Sequence, residues 1–121
     1  MYRLLKLLRV AARNKLLLKP KGRRACRAVA EYLRRQGFVP RSVEVWMGYV
    51  APDGLRCLIF FRTDTELAQL RAARHPRKVT ALFQEELVRL RYPPDAIAHI
   101  HVSLHSDEAI ERQGGHYSYF K

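Results

Sequence analysis

Histidines on alternate residues are the first candidates for chemistry in this sequence. His99 and His101 are separated by one residue, and in an extended strand this spacing places both imidazoles on the same face. Two imidazoles can hold zinc when a third ligand joins them, and Glu44 on a neighbouring hairpin is the candidate for that ligand. Because no partner at a fixed spacing accompanies the pair, we expect no metal and no cofactor. The two histidines are instead predicted to be exposed and to contact a partner.

Two copies of a His-x-Ser pattern, His101-Val-Ser103 and His116-Tyr-Ser118, resemble the paired motifs of the 2H phosphoesterases. The resemblance implies a histidine pair that performs acid–base chemistry on a phosphodiester. In that family, however, the motifs belong to two halves of a larger pseudo-symmetric fold, whereas here only a short helix separates them. We therefore expect a protein without enzymatic activity and keep a small histidine-dependent ribonuclease as an alternative.

The positive charge is concentrated in the first third of the chain. The formal net charge is +12. Residues 1–41 hold 13 lysines and arginines against the single acid Glu31, whereas basic and acidic residues are equal in number over residues 42–121. This distribution favours fast association with anions and anionic surfaces, and a binding face in the neutral part, residues 42–121, is left open.

The N-terminal charge lies first on a basic amphipathic helix over residues 2–18. Leucines fall on one side, and Lys6, Arg9 and Arg13 lie towards the other. We expect this helix to pack its leucines against the core. Binding to a membrane surface or to nucleic acid is the alternative, and an organellar transit peptide is disfavoured because the basic character continues into the next helix.

A second helix carries the densest arginine surface. Residues 19–22 are expected to break the first helix, and residues 23–36 resume the helical pattern with Gly37 as the cap. The planar guanidinium group of arginine binds phosphates and carboxylates equally well. The arginine-rich face of this helix therefore suits RNA or an acidic protein. The candidate partner-binding residues are Arg23, Arg24, Arg27, Arg34, Arg35, Trp46, His99 and His101.

A β-hairpin over residues 42–62 is the element around which the rest is arranged. Apolar residues alternate on both sides of a turn at residues 51–54, and the second face still carries Trp46, Leu58 and Phe60. That second face is expected to be covered, by the chain's own helices or by a partner. A capping box at Thr63 predicts a helix to about residue 74, and another helix follows to about residue 91.

The predicted architecture is α+β. A strand over residues 98–105, a short helix capped by Ser106 and a terminal strand complete the pattern. We expect one domain, residues 1–121, with a three- or four-stranded and mostly antiparallel sheet around the hairpin and helices packed on one face. The basic helical portion, residues 1–41, is expected to pack on residues 42–121.

The two cysteines give information about the cellular compartment in which the protein is expected. Cys26 falls in a helical pattern and Cys57 in a strand pattern, so both are expected to be small buried apolar groups in a reducing environment, with a disulfide left open. No apolar run is long enough for a membrane span, and no signal peptide is recognised. The expected location is the cytoplasm.

The end of the chain resembles a known group of proteins. Residues 98–121, AHIHVSLHSDEAIERQGGHYSYFK, combine a strand, a short helix, a Gly-Gly pair and an aromatic terminal segment. This arrangement is similar to that of small immunity proteins encoded beside polymorphic toxins, including contact-dependent growth inhibition systems. The resemblance implies a non-enzymatic cytoplasmic protein that binds and neutralises a cognate toxin. The alternative is a basic RNA-binding protein that uses the N-terminal helices, and the oligomeric state is left open.

Overall fold

The computed structural model describes residues 2–47, 54–73, 75–115 and 119–120. The elements in chain order are α1 (Tyr2–Arg13), a π-helical turn (Asn14–Leu18), α2 (Lys19–Arg35), β1 (Ser42–Trp46), β2 (Arg56–Phe61), α3 (Asp64–Ala72), α4 (His75–Arg89), α5 (Pro94–Ile97), β3 (Val102–Ser106) and α6 (Asp107–Arg112). The α+β class predicted from the sequence is confirmed.

The sheet has three strands in the order β1-β2-β3. β1 and β2 pair antiparallel with Val43 opposite Ile59, which confirms the hairpin, although residues 48–53 of its turn lie outside the described part of the chain. β2 and β3 pair parallel, with Ile59 opposite Leu104. The expected antiparallel arrangement therefore holds for one of the two pairings. Helices α3 to α5 form the crossover that a parallel pairing requires.

Both faces of β2 are buried. Cys57, Ile59 and Phe61 face the main core, which α2 and α4 cover. Leu58 and Phe60 face a second cluster with residues of α6 and the C-terminal aromatic side chains. The prediction that the second hairpin face is covered is confirmed, and the chain's own C-terminal part covers it. Helices consequently pack on both faces of the sheet, not on one alone.

The predicted break at residues 19–22 is wrong. α2 begins at Lys19 and continues the preceding π-helical turn, because Pro20 lies in the first turn of α2, where its missing N–H is tolerated. Gly22 serves close packing, since a Cβ built there would lie 2.6 Å from Leu55 Cδ1. The predicted cap at Gly37 is confirmed, with a φ of 89° and a 2.8 Å hydrogen bond from Phe38 N to Leu33 O.

Side-chain caps begin the two helices that flank the sheet ends. Thr63 Oγ1 accepts from Glu66 N at 3.2 Å, and Ser106 Oγ accepts from Ala109 N at 3.1 Å. The capping box and the cap at Ser106 are therefore confirmed. The Ser106 hydroxyl also donates to the Asp64 carboxylate, which joins α6 to the start of α3.

The predicted strand over residues 98–105 begins later than expected. Ala98 and His99 lie in a turn after α5, and β3 starts at Val102. Ile97 and Ile100 are buried with a spacing of three residues, which is turn or helix spacing and not strand spacing. In the predicted terminal strand, residues 116–118 lie outside the described residues, and Tyr119 N donates a hydrogen bond to Gly115 O at 3.1 Å.

The structure pairs the two cysteines. Cys26 of α2 and Cys57 of β2 form a disulfide, their Cα atoms are 6.1 Å apart, and both residues are buried. The expectation of two separate thiols is therefore wrong. The argument for a reducing compartment that rested on it no longer applies.

α1 does not bury its apolar side. Its leucines Leu4, Leu5, Leu7 and Leu8 are 52–60% exposed, whereas Leu18, where α2 begins, is 5% exposed. The expectation that the first helix packs its leucines against the core is therefore wrong. Among the described residues, no helix is long and apolar enough to cross a membrane.

Candidate binding groove

A groove of about 680 Å³ lies between α2 and β1. Its wall on the helix side carries cations, and its floor is aliphatic. It is lined by Lys19, Arg23, Cys26, Arg27, Ala30, Glu31, Arg34, Pro40, Arg41, Ser42, Val43 and Val45. We call it the α2–β1 groove.

The helical repeat of α2 places the cations in a row. Val29 and Leu33 are fully buried against the core, which turns the ridge formed by Lys19, Arg23 and Arg27 towards the groove. These three residues are four positions apart, so their Cα atoms follow one another at about 6 Å along the helix. We call these residues the cation row.

Ion pairing distinguishes the cation row from the other charges of the groove. Glu31 is the one acid among the described lining residues, and its carboxylate lies 3.9 Å from Arg34 and 3.6 Å from Arg35, which share it. Arg41 forms a two-pronged salt bridge with Asp107, and the hydrogen bonds to that carboxylate raise the pKa of Arg41. In the described part of the chain, the three cations of the row have no carboxylate partner. The row is therefore the part of the groove that can receive an anion.

The opposite wall of the groove is an edge strand. β1 pairs with β2 along one edge, and no strand of the described residues lies along its other edge. An open edge offers backbone N–H and C=O groups to an added strand. Val43 and Val45 of β1 are half-buried and supply apolar contacts beside these groups.

None of the described residues that form the floor of the groove has an aromatic side chain. Cys26, Ala30, Val43 and Val45 form the floor together with Pro40. Single-stranded nucleic acid binds through bases stacked on aromatic rings, so this floor does not offer the usual platform. An aliphatic floor beside a strand edge is typical of peptide binding by strand addition.

Three of the eight predicted partner-binding residues line this groove. They are Arg23, Arg27 and Arg34, whereas Arg24 and Arg35 lie on α2 outside its lining.

The other three predicted residues lie elsewhere. The Trp46 ring packs against Phe120, with ring centroids 5.1 Å apart, at the C-terminal cluster. His99 lies in the turn after α5 and His101 immediately before β3, both exposed. The predicted residues therefore lie on α2, at the C-terminal cluster and before β3, and not at a single site.

Two cations of the groove were not predicted as site residues from the sequence. Lys19 precedes Arg23 by four positions, and this spacing would have placed it in the cation row if the break at residues 19–22 had not been assumed. Arg41 follows α2 and reaches the groove through the turn into β1. No local pattern indicates that position.

The described residues do not form the zinc site considered for His99, His101 and Glu44. β2 separates β1 from β3, so Glu44 does not neighbour the strand that follows His101. No group of three metal-ligating side chains occurs among residues that the structure describes. His116 and Ser118 of the second His-x-Ser motif lie outside those residues, and the paired motif stays a prediction.

No family model, curated protein or solved structure matches this chain. The groove is accordingly interpreted from its geometry and charge.

Proposed function

We propose that this chain is a non-enzymatic binding protein that captures an acidic, extended segment of a partner protein in the α2–β1 groove. The partner we propose is a cognate toxin, which the protein neutralises. The observation that carries the proposal is the cation row beside the open edge of β1.

The spacings of the two walls match a strand with alternating acids. Successive cations of the row are about 6 Å apart along α2. Alternate side chains of an extended peptide recur at about 6.6 Å. A segment added to β1 with an acid at every second position therefore brings each carboxylate opposite one cation. Its intervening side chains point to the opposite face of the sheet.

Charge supports capture of such a segment. Lys19, Arg23 and Arg27 have no competing carboxylate among the described residues, so a bound acid does not have to displace an internal salt bridge. Arginine binds carboxylates through paired hydrogen bonds, and complementary charge accelerates association. A neutralising protein needs only these features and a stable fold, which agrees with the resemblance of residues 98–121 to immunity proteins.

A labelled peptide of alternating Glu and Val tests the groove directly. We expect fluorescence anisotropy to report binding, and Arg27→Glu to weaken it about tenfold or more because a carboxylate then faces a carboxylate. Arg24→Glu is the matched control, since it makes the same charge change on the same helix outside the groove. Equal losses in the two variants would reject a specific groove and leave only general electrostatic attraction.

Co-expression tests the proposed biological role. An immunity gene lies directly downstream of its toxin gene, so the candidate toxin is the product of the gene directly upstream of this one. We expect this protein to restore growth of cells that express that product, and Arg27→Glu to lose the protection while Arg24→Glu keeps it. Peptide binding without any protection would retain the groove and reject the toxin as its partner.

RNA binding is the second candidate, favoured by the exposed arginines on α2. Binding to phosphates releases counterions and weakens steeply with salt. An RNA complex at the cation row is therefore expected to lose affinity much more between about 0.15 M and about 0.5 M salt than a peptide complex held by backbone hydrogen bonds. Single-stranded RNA that binds more tightly than the acidic peptide would favour this candidate.

A further inference from the structure

α1 is an amphipathic helix whose apolar side has no protein surface to cover it in the described chain. Leu4, Leu5, Leu7 and Leu8 are all more than half exposed, and Leu16 and Leu17 in the following π-helical turn are 70% and 60% exposed. Isolated exposed leucines are common on protein surfaces, but a contiguous exposed apolar stretch marks an interaction site.

The two chemistries of α1 lie on separate sides of the helix. At about 100° per residue, the leucines and alanines of α1 occupy an arc about 160° wide. Arg3, Lys6 and Arg9 occupy the opposite side, all three are exposed, and none has a salt bridge with another described residue. Two of these cations, Arg3 and Arg9, border the apolar arc on either side.

This arrangement distinguishes between three possible partners of α1, namely a second copy of the helix, RNA and a lipid bilayer. A second copy of α1 would bury the leucines but would bring cations beside cations, because α1 contains no acidic residue. RNA would neutralise the cations but leave the leucines in water. The surface of an anionic bilayer receives both groups, since its acyl boundary accepts leucines and its phosphate headgroups accept Lys and Arg.

We propose that α1 docks on the surface of an anionic lipid bilayer and lies parallel to it. The leucines enter the boundary between headgroups and acyl chains, and Arg3, Lys6 and Arg9 lie at the level of the lipid phosphates. The 12 residues of α1 are about 18 Å long, shorter than a hydrocarbon core of about 30 Å, so the helix lies on the membrane and does not span it.

Docking through α1 leaves the α2–β1 groove available. The cation row belongs to α2, and the leucines of α1 belong to a different element, so the two surfaces can be altered independently. The docking of α1 does not depend on the function proposed for the groove.

Vesicle co-flotation of the full-length protein tests the docking. We expect binding to phosphatidylcholine vesicles that contain about 30 mol% phosphatidylglycerol, and about tenfold weaker binding to phosphatidylcholine alone. The double variant Leu4→Asn/Leu8→Asn is expected to reduce binding to the anionic vesicles about tenfold or more, because two exposed leucines no longer enter the bilayer. The matched control is Val88→Asn, which changes a side chain of α4 that is 63% exposed and leaves binding unchanged.

Three results from vesicle binding and light scattering would overturn the proposal. They are no binding of the wild type to anionic vesicles, equal binding by the leucine variant, or a wild-type dimer in light scattering that the leucine variant dissociates in the absence of vesicles. Tighter binding to single-stranded RNA than to vesicles, unaffected by the leucine variant, would also overturn it. An unchanged urea midpoint for the leucine variant shows that it is folded, and Arg27→Glu, which alters only the groove, is expected to float like the wild type.

Discussion

α1 and α2 are parts of one continuous helical segment, yet they use their apolar sides differently. Both are basic and amphipathic, and neither has an acid in its first turn. α2 buries Cys26, Val29 and Leu33 against the sheet and α4, whereas the leucines of α1 stay exposed. The difference follows from what lies opposite each helix. The sheet lies opposite α2, and nothing in the described chain lies opposite α1.

The comparison shows that amphipathicity predicts a face but not its partner. A helix gains most of its stability from burying its apolar side, and the burying surface can belong to the same chain or to another molecule. The same holds for charge. The cation row of α2 has no internal partner among the described residues, whereas the cations Arg41, Arg89 and Arg112 pair with carboxylates. The surfaces without partners are therefore the ones we assign to binding.

The largest expected effect comes from truncating equivalent leucines in the two helices. Leu33→Ala in α2 is expected to lower the free energy of unfolding by about 4 kcal/mol, because it leaves a cavity in a fully buried site. Leu7→Ala in α1 is expected to change it by no more than about 0.5 kcal/mol, since the side chain is exposed. Urea denaturation followed by circular dichroism measures both. Similar losses of unfolding free energy in the two variants would mean that α1 packs against the rest of the protein in solution.

The second effect concerns the covalent link between α2 and the sheet. Cys26 and Cys57 are 31 residues apart in sequence, and a closed loop of this size stabilises a fold by about 3.7 kcal/mol. Reduction of the disulfide, or Cys26→Ala combined with Cys57→Ala, is therefore expected to lower the urea concentration at which half of the protein is unfolded. Thiol alkylation of freshly lysed cells reports the state of the pair. Two alkylated cysteines in the native protein would show that the pair is reduced, as a cytoplasmic location requires.

A smaller effect distinguishes the starts of the helices. Thr63→Ala and Ser106→Ala are each expected to cost about 1 kcal/mol, because each removes the acceptor for a first-turn backbone N–H. α2 has no side-chain cap, since its preceding residue is the buried Leu18. Exposed Thr65 lies in the first turn of α3, and Thr65→Ala is the control for the loss of a hydroxyl. A chemical denaturation series measures the differences. A Thr63→Ala variant as stable as this control would contradict the capping assignment.

The smallest effect is a pH dependence of the paired charges. Hydrogen bonds from Arg112 and Ser106 hold the pKa of Asp64 below its usual value of 3.8. The folded state therefore binds the proton more weakly than the unfolded state. The stabilisation is complete above the unfolded pKa and is lost as the pH falls through the lower folded pKa.

Asp64→Asn tests that dependence. The difference in stability between wild type and this variant is expected to shrink as the pH falls from about 5 to about 2. Asp95 is exposed on α5 and has no salt bridge among the described residues, so Asp95→Asn serves as the control and should follow the wild-type profile. Thermal unfolding at several pH values measures the profiles. A constant difference for Asp64→Asn would contradict the effect of these hydrogen bonds.

Most local structure could be predicted from the sequence, because its causes lie within a few residues. Alternation over residues 42–62 predicted the hairpin, the capping box at Thr63 predicted the start of α3, and Gly37 predicted the end of α2. Prediction from local sequence failed where a contact between distant residues determined the local structure. Gly22 was interpreted as a helix breaker, but it lies within α2 because Leu55 packs closely against it.

The candidate site could be predicted only in part. Arg23, Arg27 and Arg34 follow from the helical repeat of α2, whereas Arg41 joins them through the turn into β1. Trp46 and the histidine pair were also predicted to bind a partner, but Trp46 packs against Phe120 and the histidines lie before β3, outside the groove lining.

Periodicity and composition are local properties of the chain, and they were enough to predict the α+β class, the helical and strand patterns and the N-terminal concentration of charge. Long-range contacts determine that β3 runs parallel to β2, that β1 is an edge strand beside the cation row, and that α1 stays exposed while α2 is buried. These features depend on which distant segments meet. Periodicity specifies that a face must be buried, but the pairing of segments determines what buries it.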